Sequence, residues 1–192
     1  MTATLERRAM GACRYTINRA GVLTSVGGDW RAFARENAAD ESLDEGVGLS
    51  MWDAIATVET REVYRRLLDH ALRAGSVSFP YRCDSPDEER DLQLTIAALP
   101  DGSGWEFISE VREVRPAAVS PLALLDGAAT PGGGHLCICG WCARVDHGGT
   151  WVDFADYVAT TALLAAEELP QITHGICTQC YDGLMADMDA ES

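Results

Sequence analysis

The sequence predicts an α+β protein: a five-stranded antiparallel sheet with helices on one face, followed by a small cysteine-rich module. Three observations lead there. Five segments between Cys13 and Val114 alternate apolar and polar residues with the period of a strand. Between the second and third of them, Arg61 to Ala74 carries the period of a helix. After a stretch rich in proline and glycine come two Cys-x-x-Cys pairs, Cys139–Cys142 and Cys177–Cys180.

In chain order, Met1 to Ala12 reads as a frayed lead-in. Cys13 to Asn18 and Val22 to Val26 form a hairpin about Arg19-Ala20-Gly21. Asp29 is placed to cap a helix from Trp30 to Asn37, and Leu49 to Ile55 reads as a short apolar helical turn. Thr60 is expected to cap the long helix Arg61 to Ala74. On its wheel Val63, Tyr64, Leu67, Leu68, Ala71 and Leu72 share one face, with Gly75 as the stop. Three strands follow: Ser76 to Cys83, a second through Leu92, Leu94, Ile96 and Ala98, and a third from Trp105 to Val114. Pro116, Pro121, Pro131 and Gly132-Gly133-Gly134 mark a linker over 116–134, separating a domain at 12–115 from a module at 135–188. Within the module, Arg144 to Val152 reads as a hairpin about Gly148-Gly149. Asp153 is expected to cap a helix running to Leu169, stopped by Pro170, and Tyr181 to Met188 forms a last helix.

A Cys-x-x-Cys knuckle aims two sulfurs at one ion, and two knuckles complete a tetrahedron of thiolates around zinc. Cys139, Cys142, Cys177 and Cys180 are therefore the predicted metal ligands. The competing readings, redox chemistry or chance, suit one pair better than two. His174, three residues before Cys177, is a candidate to orient a thiolate from outside the site or to replace one as ligand. Cys137 is read as a bystander, and Trp141 and Trp151 as packing over the metal.

The formal charge of −15 argues against nucleic acid or an anionic membrane as partner, since both need a cationic face. Past Ser120 the only Lys or Arg is Arg144, against ten acidic residues, which suits solubility or a basic protein partner. No apolar run is long enough to span a membrane and the N-terminus lacks a signal-peptide core, so a cytosolic, thiol-reducing location is expected. Phosphate-binding loops, His-Glu-x-x-His and Gly-x-Ser-x-Gly are missing, so no enzyme is expected.

The order of elements over roughly Ala12 to Arg115, with Phe79-Pro80-Tyr81-Arg82-Cys83-Asp84-Ser85-Pro86 and Trp52-Asp53, resembles a PAS domain, in particular those of bacterial stand-alone PAS proteins. The resemblance implies a small-molecule pocket on the helix-lined face of the sheet, with Leu67, Phe79, Tyr81 and Cys83 as candidate lining residues. It also implies pairing into a homodimer through flanking segments. Residues 135 to about 185 resemble a zinc module appended to bacterial PAS and receiver domains, on Cys139, Trp141, Cys142, Gly149, Trp151, Tyr157 and His174-Gly175-Ile176-Cys177 with Cys180. Knuckle, hairpin and helix-borne cysteines resemble a treble clef with an extra helix inserted. The resemblances imply a cytosolic signal-transduction protein, a PAS sensor or dimerisation domain coupled to a structural zinc module that meets a protein partner. The alternatives are a redox switch acting through the zinc thiolates and a haem or small-molecule sensor. Some PAS sensors hold haem through a histidine on the long helix, and His70 there falls at the edge of the apolar face. A module too small for a full core depends on its metal, so Cys142→Ser is expected to release the ion and unfold 135–185 while the PAS-like part stays folded.

Overall fold

The computed structural model describes residues 12–30, 46–55, 57–84, 88–116, 130–161, 163 and 168–190. The expected helix after Trp30 and most of the expected linker lie outside the described residues.

Alternation does build the first sheet. Strands β1 (Cys13–Asn18), β2 (Leu23–Gly28), β3 (Ser76–Arg82), β4 (Glu88–Ala98) and β5 (Gly104–Pro116) run antiparallel in the order β2-β1-β5-β4-β3. Every second residue points to one face, so Ile17, Val77, Phe79, Leu94, Ile96, Trp105 and Phe107 are buried together. Helix α1 (Met51–Ala54) is capped by the Ser50 hydroxyl, which accepts from the Trp52 N–H at 3.2 Å. Helix α2 (Val58–Ala74) begins three residues before the expected start. Thr57, not Thr60, is its cap: its hydroxyl oxygen accepts from the Thr60 N–H at 3.2 Å, while its own proton goes to the Thr60 hydroxyl at 2.8 Å. The apolar period alone placed the start too late, because Val58 at the helix mouth faces solvent. Val63, Leu67, Leu68 and Ala71 of α2 meet the sheet, and the Trp105 indole N–H donates to Leu68 O at 3.0 Å.

A second sheet holds β6 (Thr130–Cys139), β7 (Val145–His147), β8 (Thr150–Val152) and β9 (Glu168–Gly175) in the order β8-β7-β6-β9. The β7–β8 hairpin turns on Gly148 and Gly149, whose φ values of 64° and 87° suit the tight two-residue turn that twists with its strands. The sequence reading departs from the structure after Asp153. Helix α3 (Phe154–Thr160) stops well short of Leu169, because the Thr160 and Thr161 hydroxyls donate back to the Asp156 and Tyr157 carbonyls and occupy its last acceptors. The last two residues of the expected helix, 168 and 169, instead open β9, an edge strand that tolerates Pro170 and pairs in parallel with β6. Strand β6 likewise begins at Thr130, inside the stretch read as linker.

Helix α4 (Thr178–Ala190) joins the two halves. Its Leu184 and Met188, 6% and 7% exposed, belong to the same core as Phe79, Leu94 and Phe107 of the first sheet. A smaller core of Leu136, Ile138, Val145, Phe154 and Leu163 lies under the second sheet. Among the described residues, no helix is long and apolar enough to cross a membrane.

Candidate metal centre and the adjoining cleft

Parallel pairing of β6 with β9 delivers both cysteine pairs to one end of the second sheet. The register sets Cys137 opposite Thr173, Ile138 opposite His174 and Cys139 opposite Gly175, so the first knuckle starts where β9 leads into Cys177. Gly175 permits this approach: a Cβ there would lie 2.9 Å from Cys137 Sγ. The first knuckle closes through Cys139 N–H to Arg144 O at 2.7 Å and Ala143 N–H to Cys139 O at 2.9 Å. Ala143 takes φ 60° to do so. The second knuckle is the opening turn of α4, where the Tyr181 N–H donates to Cys177 O at 2.9 Å.

The four sulfurs converge. One Sγ from each of Cys139, Cys142, Cys177 and Cys180 lies within 4.8 Å of all the others, and Cys142 Sγ is 3.7 Å from Cys177 Sγ. Sulfurs at about 2.3 Å from a tetrahedral zinc stand about 3.8 Å apart, so the group is close to the size such an ion requires. Cys139 and Cys177 are each 1% exposed and Cys142 and Cys180 half-buried. These four cysteines can hold a metal ion.

The thiols also compete for protons. Cys139 is held down to about 5, first by a hydrogen bond from the Cys142 thiol and then by the backbone N–H groups of Cys177, Trp141 and Cys142. The Cys177 N–H reaches Cys139 Sγ at 3.3 Å. The donated proton is correspondingly hard to remove, and with burial this drives the Cys142 pKa far above its ordinary value. Burial, followed by the bond to Cys177, pushes Cys180 up to about 12. A divalent cation in this ring has protons to displace.

His174 lies opposite Ile138 on β9, and its ligand atoms are outside the converging group. Partial burial lowers its pKa and favours the neutral imidazole. Cys137 is also outside the group, its thiol raised by burial. Trp151 approaches Gly175, at 3.8 Å from the position a Cβ would take. Trp141 reaches the first sheet. Its ring stacks on Phe79 of β3 at 5.8 Å and 24°, with Tyr64 of α2 at 6.2 Å. Beside it the Arg82 N–H, at the end of edge strand β3, donates to Gly140 O of the knuckle at 3.2 Å.

Between the knuckle and the sheet runs a cleft of about 420 Å³. Of the residues read as pocket lining, Phe79 and Tyr81 face it. Leu67 is instead fully enclosed in the core, because its position on α2 points at the sheet's centre, and Cys83 is half-buried beyond the cleft's walls. The sequence reading missed Tyr64, Arg82, Gly140 and Trp141 as lining residues, along with Ile55 and Thr60 around the start of α2 and residues 172–175 of β9. The one available signal was Trp141 itself, a large apolar ring in a two-residue turn that must cover it with something distant. His70 is 3% exposed, within the fold and not at the boundary the wheel implied, and it does not line the cleft. No protein-family model matches the chain, and no curated protein or solved structure is detectably similar to it.

Proposed function

We propose that this is a cytosolic regulatory protein of signal transduction, in which a PAS-like sensor or dimerisation domain is coupled to a structural zinc module that engages a protein partner. The observation that carries the reading is the docking of the first knuckle. Trp141, set between two of the cysteines, stacks on Phe79, and Gly140 O takes the Arg82 N–H. An event at the metal thereby moves an aromatic ring on the sheet, and an event at the sheet moves a knuckle. Five antiparallel strands with α2 across one face support the PAS-like half.

Four thiolates at these separations suit zinc, whose structural sites are closed. Cys139, Cys142, Cys177 and Cys180 would hold it, and the ion would supply cross-linking of β6 to α4. A tetrahedron of protein sulfurs leaves no position for water, which favours structure over catalysis. Acidic residues across the C-terminal third suit a basic face on the partner.

Metal analysis and hydrogen exchange on the full chain test the reading. One zinc per chain is expected, its loss in Cys142→Ser, and faster exchange in β3 as well as in the knuckles of that variant. A variant that keeps full metal, or a β3 indifferent to metal loss, refutes it. A second reading, a redox switch, is favoured by the 3.7 Å between Cys142 Sγ and Cys177 Sγ. Hydrogen peroxide would take two electrons from this pair, forming one S–S bond, with two protons and the two peroxide oxygens leaving as two waters. Zinc release at modest peroxide separates it from an inert site.

A further inference from the structure

We propose that the free edge of β9 inside the cleft is a docking site for an extended, basic segment of a partner protein, which adds to the second sheet as a further strand. The proposal rests on the partner-engaging reading above and names the surface and the kind of segment it takes.

Ile172, Thr173, His174 and Gly175 all line the cleft, although the side chains of a strand alternate between its two faces. Four consecutive residues can share one cavity only where the strand presents its edge to it. The hydrogen bonds agree. The Gly140 N–H donates to Gly175 O at 3.0 Å, so the peptide groups of Gly175 and, two residues back, of Thr173 turn inward to β6. Those of Ile172 and His174 turn the other way, where β9 ends its sheet. Among the described residues, nothing bonds their N–H or C=O groups. Two such residues, about 7 Å apart, offer two donors and two acceptors at the repeat of an extended chain.

The surroundings confine the guest to this stretch. On the opposite wall β3 also ends its sheet, but the Cys83 N–H donates to Arg90 O at 3.1 Å, so Cys83 turns inward while Arg82 and Pro80 turn outward. The Arg82 N–H is already given to Gly140 O and proline has no N–H, which leaves that edge poor in donors. Pro170 closes β9 at its start in the same way, since it shares the outward parity of Ile172. What stays open is Ile172 and His174, in a cleft of about 420 Å³. That suits a short extended chain better than a helix about 10 Å across.

Charge selects the guest. Arg82, the one ion among the described lining residues, is held by Asp84 at 2.7 Å, Glu89 at 3.4 Å and Asp91 at 3.9 Å. Arg115 shares Glu89 and Asp91 and adds Glu113 at 2.7 Å. Four carboxylates thus stand against two guanidiniums beside the cleft, in a chain of net charge −15. Lysine or arginine flanking the paired residues is favoured there, and glutamate is not. Because β9 runs on from His174 and Gly175 into Cys177, pairing at this edge and closure of the four-sulfur group are linked equilibria.

The probe is the capped peptide Ac-Lys-Val-Thr-Val-Lys-NH2. A second peptide has Glu for both lysines, and two more carry N-methyl groups on both valines or on the threonine. Each is titrated into the ¹⁵N-labelled full chain, of known metal content, and the Ile172 and His174 amides are followed. The lysine peptide should saturate, slow exchange of both amides by about tenfold or more, and give Overhauser contacts from its α protons to β9. One methylation pattern should abolish binding and the other leave it, since only alternate amides of the guest face the edge. The Glu peptide should bind more weakly, by a margin that narrows as salt is raised. His174→Pro removes an outward N–H and should abolish binding, whereas His174→Ala should keep it. Should His174→Pro fail to fold, the methylated peptides on the unaltered protein decide. No saturation of metal-loaded protein, equal effects of the two methylation patterns, or equal affinity of the Lys and Glu peptides overturns the proposal. So do amides already protected without peptide, since the edge is then filled by this chain or a second copy. Metal content is read separately, so such a failure with one zinc bound leaves the metal assignment standing. Pairing by metal-free protein upholds the edge and refutes the metal's part in the regulatory reading.

Discussion

Leu184→Ala asks whether α4 belongs to the first sheet's core or only to the cysteine module. Leu184 is 6% exposed and sits among residues of both α2 and the sheet, so removing three carbons leaves a cavity walled by a helix and by strands that cannot all collapse into it. Leucine-to-alanine changes at such sites cost about 2–5 kcal/mol, and about 3 kcal/mol is reasonable here. With a urea dependence of roughly 2 kcal/mol per molar, the midpoint should fall by about 1.5 M. Hydrogen-exchange mass spectrometry across a urea series, read on peptides from β4 and β5, gives the sheet's midpoint. A chromogenic chelator gives that of metal release in the same samples. The expected outcome is one shared transition, shifted in both readouts by the same amount. A sheet midpoint that stays put while metal release moves to lower urea would refute the shared core.

Cys142→Ser should remove the metal and with it on the order of 10 kcal/mol of binding free energy, so that protection is lost through β3 and α2 as well as through 135–185, as peptide-resolved exchange would report. Gly175→Ala sets a methyl 2.9 Å from Cys137 Sγ and should destabilise by about 1–3 kcal/mol. Adding Cys137→Ala should restore most of that loss, and denaturation of the four proteins of this cycle measures the coupling. Metal binding should weaken as pH falls. The raised pKa values of Cys142 and Cys180 keep both thiols protonated at pH 7, so binding releases at least two protons and affinity drops by roughly two orders of magnitude per unit of acidification. Calorimetry in buffers of different ionisation enthalpy counts those protons.

What could be read from the sequence was whatever is decided locally. Alternation at Val77-Ser78-Phe79 or Leu92-Gln93-Leu94 leaves a strand no other way to hide one face, and Cys139-Gly140-Trp141-Cys142 aims its sulfurs by its own backbone. The missed features depend on distant partners. Glu168 to Gly175 contains leucine, proline and threonine in a pattern that suits a helix end or a strand, and only the presence of β6 alongside decides it. Nothing near Trp141 in the chain names Phe79 as its neighbour. The linker's composition suggested independence for the module, but composition is silent about Leu184 and Met188, whose burial makes the two halves one core.

The parallel pairing of β6 and β9 also has a consequence in time. Strands that run the same way cannot be joined by a tight turn, so the ends that carry the two knuckles meet only after the intervening chain has looped across and back. During synthesis, Cys139 and Cys142 emerge well ahead of their counterparts and on their own supply only half a coordination shell. A metal ion can be held by all four sulfurs only once Cys177 and Cys180 have followed the crossover, so the site is completed after β6 and the chain between the two knuckles, never by the first knuckle alone.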